Sequence, residues 1–135
     1  MPESVRDRCT KSHEYIFLLT KKRDYYFDVD SIKIPTVDGE GMKRRKSVWE
    51  VQTKPYKDAH FAVYPPELIE PCILAGSEKG DIVLDPFIGS GTTAAVAKSL
   101  GRDYIGCELH KDYGELIKKR VGEVEEPALS ILDII

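Results

Sequence analysis

Long apolar runs are missing from this chain. The one apolar stretch near the start, Tyr15 to Leu19, is far too short to cross a bilayer, and the leading residues MPESVRDRCTK are polar, without the apolar core of a secretory signal. The expectation is a cytoplasmic protein with no membrane partner. Cysteine is scarce: Cys9, Cys72 and Cys107 stand far apart, form no C-x-x-C pair and have no histidine at zinc-ligand spacing. A disulfide framework and a metal site are therefore both unsupported, and a reducing compartment fits. A strong excess of one charge is lacking too, since the formal net charge is −3.

The charge is nevertheless placed unevenly. Residues 1–60 carry 13 Lys and Arg against 10 Asp and Glu, whereas residues 61–135 carry 7 against 13. The basic side holds the run Lys43-Arg44-Arg45-Lys46. Such a run suits a phosphate backbone, and it serves equally well as a solvated loop. With 41% hydrophobic and 32% charged residues over 135 positions, the composition is that of a folding globular chain, long enough for one domain or a piece of one.

The β-prone segment His13 to Thr20, followed by Tyr25-Tyr26-Phe27 after a charged break, predicts a β-hairpin. Residues 33–47 mix Pro35, Gly39, Gly41 and the basic run without a sustained period and predict a loop, with a short strand around Val48, Trp49 and Val51 after it. Trp49 itself reads as a packing residue. Pro65-Pro66-Glu67 predicts a helix start and Gly76 its stop, with Pro71 a weak point inside. Asp81 to Leu84 predicts a strand buried on both faces, Thr92 to Leu100 a helix, Tyr104 to Glu108 a second buried strand, and Asp112 to Val121 an amphipathic helix. Strand, glycine turn, helix, strand, helix is the start of a doubly wound α/β sheet.

The chemistry concentrates in Asp85-Pro86-Phe87-Ile88-Gly89-Ser90-Gly91-Thr92-Thr93. Two glycines one residue apart after a strand let a ligand approach the backbone, and the following helix turns its unbonded N–H groups toward it. A triphosphate loop needs a lysine after the second glycine, where Thr92 stands. A dinucleotide loop needs a third glycine, where Ala94 stands, and the preceding Asp85 would repel a pyrophosphate. A ligand with a cationic end, such as S-adenosylmethionine, is instead attracted by Asp85. Glu108, about 20 residues beyond the first glycine, stands where nucleotide-binding βαβ units place an acid for ribose hydroxyls.

These residues, with Tyr104-Ile105-Gly106-Cys107-Glu108 after them and His60-Phe61-Ala62-Val63-Tyr64-Pro65 before them, resemble the cofactor half of the β-class DNA adenine-N6 or cytosine-N4 methyltransferases. The segment Ser12 to Leu19 resembles the late part of that family's catalytic half. The resemblance implies a partial doubly wound, Rossmann-like methyltransferase sheet with an N-terminal β-hairpin, and a role in DNA methylation of the restriction-modification kind. It implies cofactor contacts at Asp85, Pro86, Phe87, Gly89, Ser90, Gly91, Thr92 and Glu108, and also at His60 and Phe61. DNA is the implied partner, met by Lys43, Arg44, Arg45 and Lys46.

The family's catalytic [DNS]-P-P-[YFW] motif, which holds the target amine of a flipped base, is missing. Tyr64-Pro65-Pro66-Glu67 has the two prolines but the wrong residue on each side. No catalytic residue is assigned, and the chain is expected to be a truncated or split enzyme, inactive in isolation. The expected organisation is a partial methyltransferase domain over 1–122, with 1–59 a remnant of the catalytic half plus the basic loop, 60–122 the cofactor-binding half and 123–135 a tail. The alternative is a non-catalytic module that binds S-adenosylmethionine or DNA and pairs with a separate catalytic chain or with itself.

Overall fold

The computed structural model describes residues 6–52 and 63–124. His60, Phe61 and the tail beyond residue 124 lie outside these. Where the sequence predicts a βαβ unit, the structure has one. Strand β1 (Ile34–Pro35) and strand β2 (Met42–Lys43) form a small antiparallel pair, and helix α1 (Pro66–Gly76) follows. Strand β3 (Ile82–Asp85), helix α2 (Thr92–Ser99) and strand β4 (Asp103–Gly106) form the unit, and helix α3 (Asp112–Gly122) closes the described chain. β3 and β4 run parallel, in the register Ile82 to Asp103 through Asp85 to Gly106. The architecture is α/β with two small sheets.

α1 begins with Pro66 in its first turn, where a missing N–H costs nothing, and with Glu67 at the positive end of the dipole. Pro71 removes the bond that would have reached back to the Glu67 carbonyl, yet the helix continues because Pro71, Ile73 and Ala75 are buried. α2 is the centre of the packing. On one side Val96 and Ala97 meet Ile73 of α1, with Ile69, Val83 and Leu100 around them. On the other side Ala94 meets Ile88 and Val121, with Ile117 of α3. Arg102 ties the two ends of this assembly together. Its Nη2 donates to the Ser77 carbonyl at 2.7 Å and its Nη1 to the Leu100 carbonyl at 2.6 Å.

Gly114 lies inside α3, where an added Cβ would meet nothing within 4 Å. Gly114→Ala is expected to raise the unfolding free energy by roughly 0.5–1 kcal/mol, because alanine loses less backbone entropy in a helix. A urea titration of the two proteins measures it.

Three expectations are corrected. The hairpin over His13 to Thr20 and Tyr25 to Phe27 is absent: the segment is irregular, and Tyr15, Ile16, Phe17, Leu18 and Leu19 are exposed. β-propensity describes how a side chain fits a half-buried pleated surface and does not itself supply a partner, and no strand pairs with this segment among the described residues. The hairpin forms instead inside the predicted loop. There Gly39 turns with φ 75°, and the Thr36 hydroxyl accepts from the Gly41 amide at 3.0 Å, so a turn assembles without any period in the sequence. Val48, Trp49 and Val51 form no strand.

The third correction concerns burial. β3 and β4 were expected to be covered on both faces, but Ile82 is 61% exposed, Leu84 64% and Ile105 53%. Only the side carrying Val83 is packed by α2. An apolar run records that both faces can be buried, and not whether a second layer is present to bury them.

Candidate functional site

The carboxyl ends of β3 and β4 meet at the glycine turn. Pairing continues past the strands, because the Cys107 amide donates to the Asp85 carbonyl at 3.1 Å and the Ile88 amide to the Cys107 carbonyl at 3.1 Å. These bonds carry Ile88 into the space over Gly106, where an added Cβ would lie 3.0 Å from the Ile88 Cβ and closer still to its Cδ1. From there the chain turns sharply. The Gly91 amide donates to the Ile88 carbonyl at 2.8 Å, Gly89 and Gly91 take φ of 51° and 84°, and the Gly91 carbonyl receives the first helical bond of α2, from Ala95 at 3.0 Å.

Asp85 sits at the end of β3. Its Oδ1 accepts from the Phe87 amide at 3.0 Å, and its Oδ2 accepts from the Thr93 hydroxyl at 2.5 Å and from the Tyr64 hydroxyl at 3.2 Å. The Tyr64 and Thr93 hydroxyls also lie within hydrogen-bond reach of each other, so the single Tyr64 proton has Asp85 Oδ2 and Thr93 Oγ1 as alternative acceptors. Burial pushes the Tyr64 phenol above its usual range, and the neighbouring Asp85 charge adds to that, against the lowering effect of the Thr93 hydrogen bond. The phenol therefore remains a donor at neutral pH.

The other expected residues divide. Phe87 is 87% exposed beside the turn, and Pro86 is exposed with it. Ser90 is buried and its hydroxyl accepts from the Arg120 Nη1 of α3 at 2.9 Å, so that oxygen serves the packing of loop against helix. Thr92 is 1% exposed, and its Oγ1 has no hydrogen-bond partner among the described residues. Glu108 stands two residues beyond the end of β4 rather than within it, exposed, with Oε1 accepting from the His110 amide at 2.7 Å. His60 and Phe61 fall outside the described residues.

The structure brings Asp85 and Glu108 to the same end of adjacent parallel strands. It also adds Tyr64 and Thr93, which sequence reasoning had not assigned. Thr93 belonged to the quoted motif, and Tyr64 to the segment quoted before it and to the flank of two prolines, neither with a role of its own. Tyr64 lies 21 residues from Asp85 and 29 from Thr93, so no local pattern reveals its part in the cluster. A cleft of about 480 Å³ runs from Asp85, Thr93 and Tyr64 along Leu84 and Val83 toward Cys72 of α1. Burial raises the Cys72 thiol above its usual range.

The basic run is also divided. Lys43 belongs to β2 and is half-buried, and Arg44 and Lys46 are exposed. Arg45 is engaged in packing: its Nε donates to the Ile32 carbonyl at 3.2 Å, and its guanidinium lies 5.3 Å from the Trp49 ring centroid. The Trp49 indole in turn donates to the Lys46 carbonyl at 2.7 Å. Among the described residues no group of three or more His, Cys, Asp or Glu side chains is placed to hold a metal ion, and no helix is long and apolar enough to cross a membrane.

Comparison with known proteins adds the following. A family model described as DNA methylase matches residues 1–119. The type II methyltransferase M.SmaI of Serratia marcescens is 52% identical over 121 residues, which cover 89% of this chain and 41% of that protein. For M.Cfr9I of Citrobacter freundii the identity is 49% over 121 residues, covering 90% and 40%. M.HinfI of Haemophilus influenzae is 34% identical over 134 residues, covering 93% and 37%. The chain thus spans about two fifths of the length of these curated relatives. Among solved structures, the complex of M1.HpyAVI with SAM is 43% identical, covering 47% of this chain and 33% of that one with a TM-score of 0.44. The cytosine-N4-specific PvuII DNA methyltransferase is 33% identical, covering 54% and 25% with a TM-score of 0.45.

Proposed function

The chain belongs to the DNA methylase family, and from that premise we propose that it forms the S-adenosylmethionine-binding portion of a site-specific DNA methyltransferase acting on an exocyclic amine, adenine N6 or cytosine N4. The observation that carries this reading is the pair of carboxylates, Asp85 and Glu108, at the carboxyl ends of two parallel strands on either side of a glycine turn that opens α2. In open α/β sheets that crevice is where ligands bind.

The residues present fit the ligand. It is a nucleoside with a cationic amino-acid tail, and the donor set offers a carboxylate for each end, a turn bare of side chains at Gly89 and Gly91, and an exposed aromatic ring at Phe87. Asp85 would receive the ammonium group and Glu108 the ribose hydroxyls. The N-terminus of α2 would turn its unbonded amides toward the ligand, and Phe87 would cover the adenine with an apolar face. The ligand supplies an electrophilic methyl group. Pro86, Ser90 and Thr92 would shape the turn, and His60 and Phe61, outside the described residues, would complete the pocket on the family pattern. Residues 60–122 then constitute the cofactor half, 1–59 a part of the half that faces DNA, and 123–135 a tail.

Arg44 and Lys46, exposed beyond β2, would meet DNA phosphates, with Lys43 and Arg45 setting their loop. No [DNS]-P-P-[YFW] sequence occurs in these 135 residues. Methyl transfer accordingly draws its catalytic motif from another polypeptide segment, and the uncovered side of the sheet at Ile82, Leu84 and Ile105 is where further protein would pack.

Calorimetric titration of S-adenosylmethionine into the purified chain tests the reading. Saturable binding at one site per chain is expected, together with a rise in melting temperature that NAD does not produce. A response to NAD and none to S-adenosylmethionine would reverse the assignment in favour of a dinucleotide.

A further inference from the structure

The Asp85 carboxylate is held by more donors than a simple counter-ion needs. An ionised carboxylate offers about four acceptor positions. Oδ1 uses one for the Phe87 amide, while Oδ2 is shared by the Thr93 and Tyr64 hydroxyls. The three donors come from three different places: the turn after β3, the second residue of α2, and the residue that precedes the N-cap of α1. Thr93 is buried, so its hydroxyl has little access to water as an alternative partner. Tyr64 has one proton and two acceptors within reach, Thr93 Oγ1 and Asp85 Oδ2, and either choice strengthens the same charged cluster. Oδ1 takes only the Phe87 amide, from the turn itself, and so keeps acceptor capacity for a ligand.

We propose that Tyr64 and Thr93 are positioning residues that lock the Asp85 carboxylate with Oδ1 toward the turn, so that the site selects nucleosides bearing a charged amino-acid tail over nucleosides without one. This rests on the reading of Asp85 as the acceptor of the ligand's ammonium group, and it assigns the selectivity to two residues that would not themselves touch the nucleoside. A carboxylate free to rotate would spread its acceptor positions over several orientations and lose the entropic advantage of a fixed one.

The test compares three probes, S-adenosylmethionine, S-adenosylhomocysteine and 5′-methylthioadenosine, of which only the last lacks the amino-acid tail. Each is titrated calorimetrically into the unsubstituted chain and into Tyr64→Phe, Thr93→Val and Thr93→Ser. Tyr64→Phe and Thr93→Val are expected to weaken the two tailed ligands about tenfold, the scale of one lost hydrogen bond to a charged group, and to leave 5′-methylthioadenosine within about twofold. Thr93→Ser, which keeps the hydroxyl, restores the binding. Equal weakening of all three probes, or none, in Tyr64→Phe would overturn the positioning role while leaving the cofactor reading intact. Failure of the unsubstituted chain to bind any probe would overturn the cofactor reading and this inference with it. Melting temperatures check each fold, and should Thr93→Val not fold, Tyr64→Phe, which removes a single hydroxyl from a residue 38% exposed, decides alone.

Discussion

Asp85→Ala is expected to abolish measurable binding of S-adenosylmethionine, a loss of at least about a hundredfold. Removing one partner of a hydrogen-bonded charge pair typically costs about 2–5 kcal/mol, since the remaining charge loses its counterpart and water does not fully replace it. In this site the loss has a second component. The Phe87 amide and the Thr93 hydroxyl donate to that carboxylate and the Tyr64 hydroxyl has it within reach, so alanine leaves this cluster of donors to find other acceptors. Asp85→Asn separates the two effects, because it keeps an acceptor oxygen while removing the charge. Titration calorimetry of both variants, with melting temperatures alongside, is the measurement. Binding by Asp85→Ala at wild-type strength would remove this carboxylate from the site.

Gly91→Ala is the second large effect, and it falls on the fold as well as the ligand. Gly91 has φ 84°, a left-handed conformation that costs an alanine energy, and a Cβ there would lie 3.3 Å from two carbons of the Ile117 side chain and 3.4 Å from its Cα. The Ile117 Cα belongs to the backbone of α3 and does not give way as a flexible side chain would. Strain and overpacking together are expected to lower the unfolding free energy by about 2–4 kcal/mol, visible as an earlier urea midpoint. The same substitution at Gly114, a few residues away from Ile117 along α3, has the opposite sign, because there the backbone is helical and the added methyl meets open space. Stability unchanged in Gly91→Ala would show that the turn does not hold its left-handed form.

The part of the site legible in sequence was the part built from neighbours in the chain. A strand, two glycines one residue apart and a helix start lie within a dozen residues, so the turn, α2 and the acid that precedes them announce themselves together. α1 was equally legible, its start by Pro66 and Glu67 and its stop by Gly76. The hairpin expected over residues 13–27 was not formed, since β-prone residues need a partner strand and β-propensity does not supply one. The pair that did form, β1 with β2, is made by a threonine side chain bonding across a turn, which leaves no periodic mark.

By itself the sequence determined the order of elements from residue 66 to 122, the parallel βαβ unit, the placing of Asp85 before the glycine turn and the membership of the DNA methylase family. All of these depend on contacts between residues close in sequence or on patterns with a fixed period. Only the tertiary structure decided that Tyr64 and Thr93 converge on Asp85, that Arg120 of α3 takes the Ser90 hydroxyl, that Arg45 is spent on Trp49 and Ile32, and that one face of β3 and β4 lies open. The first two share one physical reason. Each is set by which surfaces meet when α2 is packed between α1 and α3, and that meeting joins residues up to thirty positions apart whose spacing carries no local signal.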